Sequence, residues 1–320
     1  MQPDTAASRS VVIIANPRAG TTSAQLIAEV GRRCAGVVPA TTRHLTGAPG
    51  DATAIARAAA TAPGAAATLV VAVGGDGTVR EVVQGLVAAA TPGERPTLVV
   101  VPAGTGNSNY LAQWGDRPWP EALSAALGEP GAPAAVTRRL DLCRLVETDE
   151  LVLLGACSGL IAEALRVAPA VPLTGRARYR EALARAAVVH RPYPGRVRVD
   201  GETVHEGPTV LANVGGGRHR GGTYRVLPHS VLDDGYLDVC VIGAQTPAAQ
   251  VPELTVDARH LGRPGVVYAR GLRITIESCD GSPVCFEHDG ELVPGGLSSY
   301  TLEVLPGALP VRCHAGRTLG

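Results

Sequence analysis

The stretch Val73-Gly74-Gly75-Asp76-Gly77-Thr78 sets one carboxylate, Asp76, among three glycines. A glycine turn that opens a helix aims backbone N–H groups outward, and the helix dipole favours negative charge there. Glycine also lets the backbone approach a phosphate with no Cβ in the way. A carboxylate beside a bound phosphate calls for a divalent cation between them, and Mg²⁺ suits an oxygen set. These residues therefore support Mg-nucleotide chemistry. Gly-Gly-Asp-Gly is equally good turn chemistry, and many strand–turn–helix junctions bind nothing. Near the other end, His288-Asp289-Gly290-Glu291 places two more carboxylates around a glycine. Read by itself it is a hairpin turn between strands. Asp233-Asp234-Gly235 is likewise a good turn.

Elements must hold these residues in place. Leu69 to Val73 is short, β-branched and apolar, which predicts a buried strand. After the glycines, Val79, Val82, Val83, Leu86 and Val87 recur with the period of a helix that buries one stripe. Thr78 and Glu81 have capping-box spacing, so Thr78 is the expected N-cap. The surrounding residues alternate in the same way. A strand over Val11 to Ala15 leads to Asn16-Pro17-Arg18-Ala19-Gly20, and Thr21 or Thr22 is the expected cap of the next helix. A strand is expected over Val37 to Leu45, and an Ala-rich helix capped by Asp51 reaches about Ala62. The strand Thr97 to Val101 runs into Pro102-Ala103-Gly104-Thr105-Gly106-Asn107. Three loops thus sit at the carboxyl ends of parallel strands, the edge where open α/β sheets bind ligands.

Composition narrows the chemistry. The chain has 320 residues, enough for two domains, and is 45% hydrophobic and 18% charged, a globular balance. Basic and acidic residues number 29 each, which gives no sign of a nucleic-acid partner. The sequence contains no Lys, so every basic residue is Arg. That excludes a Walker P-loop and lysine Schiff-base chemistry. The seven Cys form no CxxC pair, and their wide spacing fits reduced thiols in a cytoplasmic protein. No apolar run approaches the ~18 residues of a membrane span, so any membrane contact is expected to be peripheral. With one Phe and two Trp, the chain shows no bulky aromatic anchor.

The texture changes after Glu129-Pro130-Gly131-Ala132-Pro133. Short strand patterns follow at Arg138–Val146, Leu151–Ala156, Arg196–Val199, Thr209–Asn213, Tyr236–Ile242, Leu272–Glu277 and Ser299–Leu305, with one helix around Arg176–Val189. The expected fold class is α/β plus β. An open parallel α/β nucleotide domain over 1–135, completed by 305–320, precedes a mostly antiparallel β-sandwich over 136–304. Arg176, Arg178, Arg180 and Arg185 share part of a helix face, either solvated or facing anionic lipid.

Seven short motifs, in order, resemble the diacylglycerol kinases and related lipid kinases. That family includes the sphingosine kinases and shares its nucleotide domain with the NAD kinases. The motifs are Asn16-Pro17-x-x-Gly20; His44-x-Thr46 with Gly50-Asp51-Ala52; Gly74-Gly75-Asp76-Gly77-Thr78 with Glu81; and Pro102-x-Gly104-Thr105-Gly106-Asn107. In the β region follow Gly155-Ala156-Cys157-Ser158-Gly159; Asn213, Gly221-Gly222 and Pro228 leading to Asp233-Asp234-Gly235-Tyr236-Leu237-Asp238-Val239; and His288-Asp289-Gly290-Glu291. Ser108-Asn109-Tyr110 departs from the family, where an Asp and an apolar residue follow Asn107.

The resemblance implies an enzyme of lipid and phospholipid metabolism. It would transfer phosphate from ATP, with Mg²⁺, to a hydroxyl of a lipid such as diacylglycerol, in a cleft between the two domains. Asn16, Thr46, Gly74, Gly75, Asp76, Gly77, Thr78, Glu81, Gly104, Thr105 and Asn107 would line ATP. Asp76 would act through Mg²⁺, and Glu291 would be the general base. Val231 and Tyr236, through their carbonyls, and Asp234 would hold a structural divalent cation. A soluble small-molecule kinase of specialised metabolism and a catalytically idle nucleotide-binding regulator remain alternative readings, and a homodimer stays open.

Overall fold

A computed structural model of the protein describes residues 10–316. Two compact units appear. One runs up to Leu140 and takes in the C-terminal segment from Gly307; the other is Asp141–Pro306.

In the first unit, β1 (Ser10–Ala15), α1 (Ala24–Val37), β2 (Thr41–Leu45), α2 (Asp51–Thr61), β3 (Thr68–Gly74), α3 (Asp76–Ala89), β4 (Thr97–Pro102), α4 (Ser108–Trp114) and α5 (Trp119–Leu127) follow in order. The strands lie in the order β4-β3-β1-β2, all parallel, with Val11 opposite both Thr41 and Leu69, and Leu69 opposite Thr97. β3 is buried along its whole length, as its unbroken apolar run requires. α2 and α3 pack so closely that a Cβ on Gly85 would lie 2.3 Å from the Thr53 carbonyl. The C-terminal segment returns to this unit, where Val311 pairs with Leu98 of β4. Buried Arg95 ties it down by donating to the Ala308 carbonyl, and also donates to those of Ala90 and Val87.

Several boundaries differ from expectation. α1 continues through Val37, and its N-cap is Ser23, which accepts from Leu26 N at 3.1 Å. The β-branched run at Val37-Val38 reads as strand in the sequence, yet Val38 is the helix C-cap. Asp51 accepts from Gly47 N and Ala48 N, while Gly50 takes the N-cap position of α2. α3 starts at Asp76 with Gly75 as its N-cap, so Thr78 lies inside the first turn.

The second unit holds β5 (Ala135–Leu145), which begins in the first, then β6 (Glu150–Val152), β7 (Ala156–Gly159), α6 (Leu160–Val167), α7 (Gly175–Val189), β8 (Tyr193–Val199), β9 (Glu202–Gly215), β10 (Leu237–Gly243), α8 (Val251–Val256), β11 (Val266–Gly271), β12 (Arg273–Ser278), β13 (Phe286–His288), β14 (Glu291–Leu292) and β15 (Ser299–His314), which ends in the first. Its strands pair antiparallel in the order β14-β13-β7-β9-β8-β12-β15, with β10 on β9 and β11 on β10. One face packs Val197, Val239, Ile274, Ile276 and Leu302 around Phe286 and Tyr300, whose rings stack at 4.1 Å. The other packs Leu211 and Ile242 of the sheet with Leu160 of α6 and Leu183 of α7. α6 lies in a stretch that the strand-rich reading passed over, because an eight-residue buried helix carries too little period to stand out.

Candidate active site

In the first unit the three loops meet through their backbones. Asn16 N donates to the Val73 carbonyl, Ala103 N to that of Gly74, and Thr21 N to that of Ala103, each at 2.9 Å. A Cβ on Gly104 would lie 2.3 Å from Gly75 Cα, and one on Gly75 would lie 3.0 Å from Gly104 Cα. No residue with a side chain fits at that crossing. A Cβ on Gly20 would meet Thr105 Oγ1 at 3.5 Å, and one on Gly106 would meet Asp76 Oδ2 at 3.2 Å.

Side chains lock this arrangement. Asn16 Nδ2 donates to Thr78 Oγ1 at 3.1 Å, while its Oδ1 accepts from Arg18 N. Asn107 takes a left-handed φ of 53° and closes loop three on itself, accepting from Gly104 N and donating to the Gly104 carbonyl. Asp76 accepts from Ser108 N and Asn109 N, and from Asn109 Nδ2, all at 3.0 Å. The Ser108-Asn109 departure noted in the sequence therefore reaches the carboxylate of the glycine turn. Thr78 is buried in the first turn of α3, with its hydroxyl on Asn16. Glu81 Oε2 reaches across to Gly50 N at 3.0 Å, so the two do not form the expected capping box.

Asn16, Gly74, Gly75, Asp76, Gly77, Thr78, Gly104, Thr105 and Asn107 thus gather at one sheet edge. Thr46, buried, follows β2 at the same edge, its N–H on the Ala15 carbonyl. Gly77 and Thr105 are exposed there. The edge suits a phosphate chain, because glycine backbone and a helix N-terminus replace the absent lysine. It also suits Mg²⁺: a carboxylate already hydrogen-bonded to backbone can bind an ion that keeps several of its waters.

In the second unit, β13 and β14 form the hairpin around Asp289-Gly290-Glu291, with His288 opposite Glu291. Asp289 holds a left-handed φ of 49°. Its carboxylate accepts from Leu153 N and Leu154 N at 2.9 Å and from Gly155 N at 3.4 Å. Burial pushes this carboxyl up, but the His288 side chain and those backbone donors hold it below its usual range. Glu287 Oε2 accepts from Gly290 N at 2.9 Å, and burial pushes its carboxyl up to about 7 against the opposing pull of Arg220. Glu291 itself is exposed. No local pattern in the chain marks the roles of Glu287 and Arg220. Arg220 reaches β9, where its Nε donates to Asn213 Oδ1 at 2.7 Å and its Nη2 to the Val214 carbonyl at 3.0 Å.

The Asp233-Asp234-Gly235 turn already holds a cation. Arg270, cross-strand partner of Asp238, donates to Asp234 Oδ2, lies 3.6 Å from Asp238 Oδ2 and sits over the Tyr236 ring. Asp234 Oδ1 accepts from Tyr236 N. A divalent ion on Asp234 with the Val231 and Tyr236 carbonyls, as the resemblance implies, would compete with this guanidinium for Asp234 Oδ2. Among the described residues, no group of three or more His, Cys, Asp or Glu could hold a metal. No helix there is long and apolar enough to cross a membrane.

Comparison with known proteins matches residues 10–137 to the diacylglycerol kinase catalytic domain. Residues 156–313 match the YegS C-terminal NAD kinase beta sandwich-like domain. A relative from Chromohalobacter salexigens named "Probable lipid kinase YegS-like" is 32% identical over 78% of this chain and 77% of its own. "Probable lipid kinase YegS" of Escherichia fergusonii is 28% identical over 38% of each chain. Two crystal structures from Bacillus anthracis, named for diacylglycerol kinase, share the fold with TM-scores of 0.74 and 0.69. They are 24% and 21% identical and cover 95% of this chain and 96% of theirs.

Proposed function

We infer the reaction from family membership: the chain belongs to the diacylglycerol kinase and YegS-like lipid kinases. It transfers the terminal phosphate of ATP to a hydroxyl of a lipid acceptor. The observation that carries this reading is the side-chain-free crossing of Gly75 and Gly104 beside Asp76, a backbone cradle for phosphates in a chain without lysine.

Phosphoryl transfer is mainly positioning and charge neutralisation, with one group orienting the nucleophile. The N–H groups that open α3, with the loop around Thr105 beside them, bind and align the phosphates. Asp76 is the residue that would hold Mg²⁺ at its carboxylate, and a bound ion would supply charge neutralisation on the phosphates. Asn109 fixes the Asp76 carboxylate through its backbone N–H and its side-chain amide. Glu291 takes the proton from the acceptor hydroxyl as oxygen attacks phosphorus. Asp289 and Glu287 fix the hairpin that presents it. None of the seven cysteines is in a disulfide and five are buried, which supports a cytoplasmic setting.

An assay of ADP release tests the reading with diacylglycerol, ceramide, sphingoid and short polyol acceptors in detergent micelles. ATP- and Mg²⁺-dependent turnover on a lipid acceptor is expected. Turnover confined to a water-soluble alcohol, with no need of an interface, contradicts the lipid acceptor; no ATP binding contradicts the kinase.

A further inference from the structure

We propose that α7 and the turn before it seat the protein on an anionic membrane surface. Leu183, Ala186 and Ala187 bury one face of α7 against the sheet, with Ala182 beside them. At 3.6 residues per turn the opposite face carries Ala177, Ala184 and Val188. Arg178 and Arg185 flank this stripe on one side, Arg176 and Arg180 on the other. Val188 and Val189 are 80% and 73% exposed, the most exposed large hydrophobic side chains among the described residues, and Leu173 before the helix is 43% exposed.

Charge argues for what covers this face. Basic and acidic residues balance at 29 each in the whole chain. Between Val171 and Arg191, five arginines stand against one acid, Glu181, which pairs with Arg185 at 2.7 Å. A soluble polyanion would satisfy the arginines but leave the valines in water. An anionic bilayer satisfies both, with phosphates at the flanks and hydrocarbon under the stripe. The element is preformed: His190 Nδ1 lies 2.7 Å from Glu163 Oε2, fastening the end of α7 to α6, and Tyr179 packs on Tyr224.

The purpose of such a seat rests on the lipid-acceptor reading, but its test needs neither ATP nor turnover. Co-sedimentation with phosphatidylcholine vesicles, with and without phosphatidylglycerol, measures binding. The protein is expected on the anionic vesicles only, releasing as salt rises. Arg180→Gln and Arg191→Gln each weaken binding about fivefold. The double variant Val188→Ser with Val189→Ser weakens it at least roughly tenfold. That variant keeps its thermal midpoint and its affinity for heparin, which reports the arginines without a hydrocarbon phase. Three results overturn the proposal: no binding to anionic vesicles, equal binding to neutral ones, or vesicle binding that the double valine variant leaves unchanged. The last, with heparin binding retained, assigns the face to a soluble polyanion. Turnover on micellar acceptor, measured separately, shows whether the kinase reading stands when this one fails.

Discussion

The two halves of the proposed machinery are held together by different means. In the first unit, backbone meets backbone, and the geometry at Gly75 and Gly104 exists only because neither residue has a side chain. In the second, the Asp289 hairpin is held by carboxylates: Asp289 gathers three N–H groups about 135 positions earlier in the chain, and Glu287 holds Gly290. The first design fails by steric overlap, largely regardless of pH. The second fails by loss of hydrogen-bond acceptors and is open to titration. Perturbations of each half should therefore differ in kind as well as size.

The largest effect is expected from Gly104→Ala. Its Cβ would stand 2.3 Å from Gly75 Cα, so the loops must part. A displacement on the order of 1 Å in a positioning loop costs roughly 100-fold, here in ATP affinity by calorimetry. Gly31→Ala, in α1, is the control, because a Cβ there meets nothing within 4 Å. Equal affinities for the two variants would dissolve the contrast between the halves.

Next comes Asp289→Asn. Asn tolerates the left-handed backbone, so the change isolates the carboxylate. Its amide would turn an N–H toward buried N–H donors, at a cost of about 1–3 kcal/mol. Denaturant unfolding should show that loss, and an unchanged midpoint would mean that the clamp contributes nothing.

Glu287 sets the pH dependence. Its folded pKa, raised from 4.5 to about 7, lies above the unfolded value, so its contribution to stability is whole below the unfolded pKa. It is lost as pH rises from about 4.5 to about 7, because the unfolded chain gives up this proton first. The thermal midpoint should carry a downward component across that window, absent in Glu287→Gln. Parallel wild-type and variant curves between these pH values would refute it.

The smallest effect belongs to Arg270→Gln. An exposed pair with Asp234 is worth about 0–1 kcal/mol. Added Mg²⁺ should leave the midpoint of wild-type unit two unchanged and raise that of the variant slightly. A Mg²⁺-dependent rise in the wild type would show that an ion displaces the guanidinium.

The sequence made the first unit far more legible than the second. β3 and α3 show in an apolar run and a clean helical period, since strand, turn and helix there are adjacent in the chain. Boundaries were harder. Val37-Val38 looks like strand but ends α1, and Ser23 caps that helix where Thr21 or Thr22 was expected. The glycine motifs show where the loops follow the strands, but the contact between Gly75 and Gly104 joins residues 29 apart and leaves no local pattern. Asn109 was visible only as a departure, and its bond to Asp76 emerges in three dimensions. Arg270 lies 36 residues from Asp234, and only strand register brings it there. Local order is written in periodicity; partners across a sheet are not.

The division of labour itself is tested most directly by Glu291→Gln, which keeps size and hydrogen bonding but cannot accept a proton. Steady-state kinetics with a confirmed acceptor, paired with ATP affinity, should show kcat reduced by roughly 10²–10⁴. ATP affinity should stay within a few-fold of wild type, because the phosphate cradle belongs to the other unit. A kcat within about threefold of wild type, short of the ~1.4 kcal/mol of a tenfold effect, would show that Glu291 only closes a hairpin and that proton removal lies elsewhere.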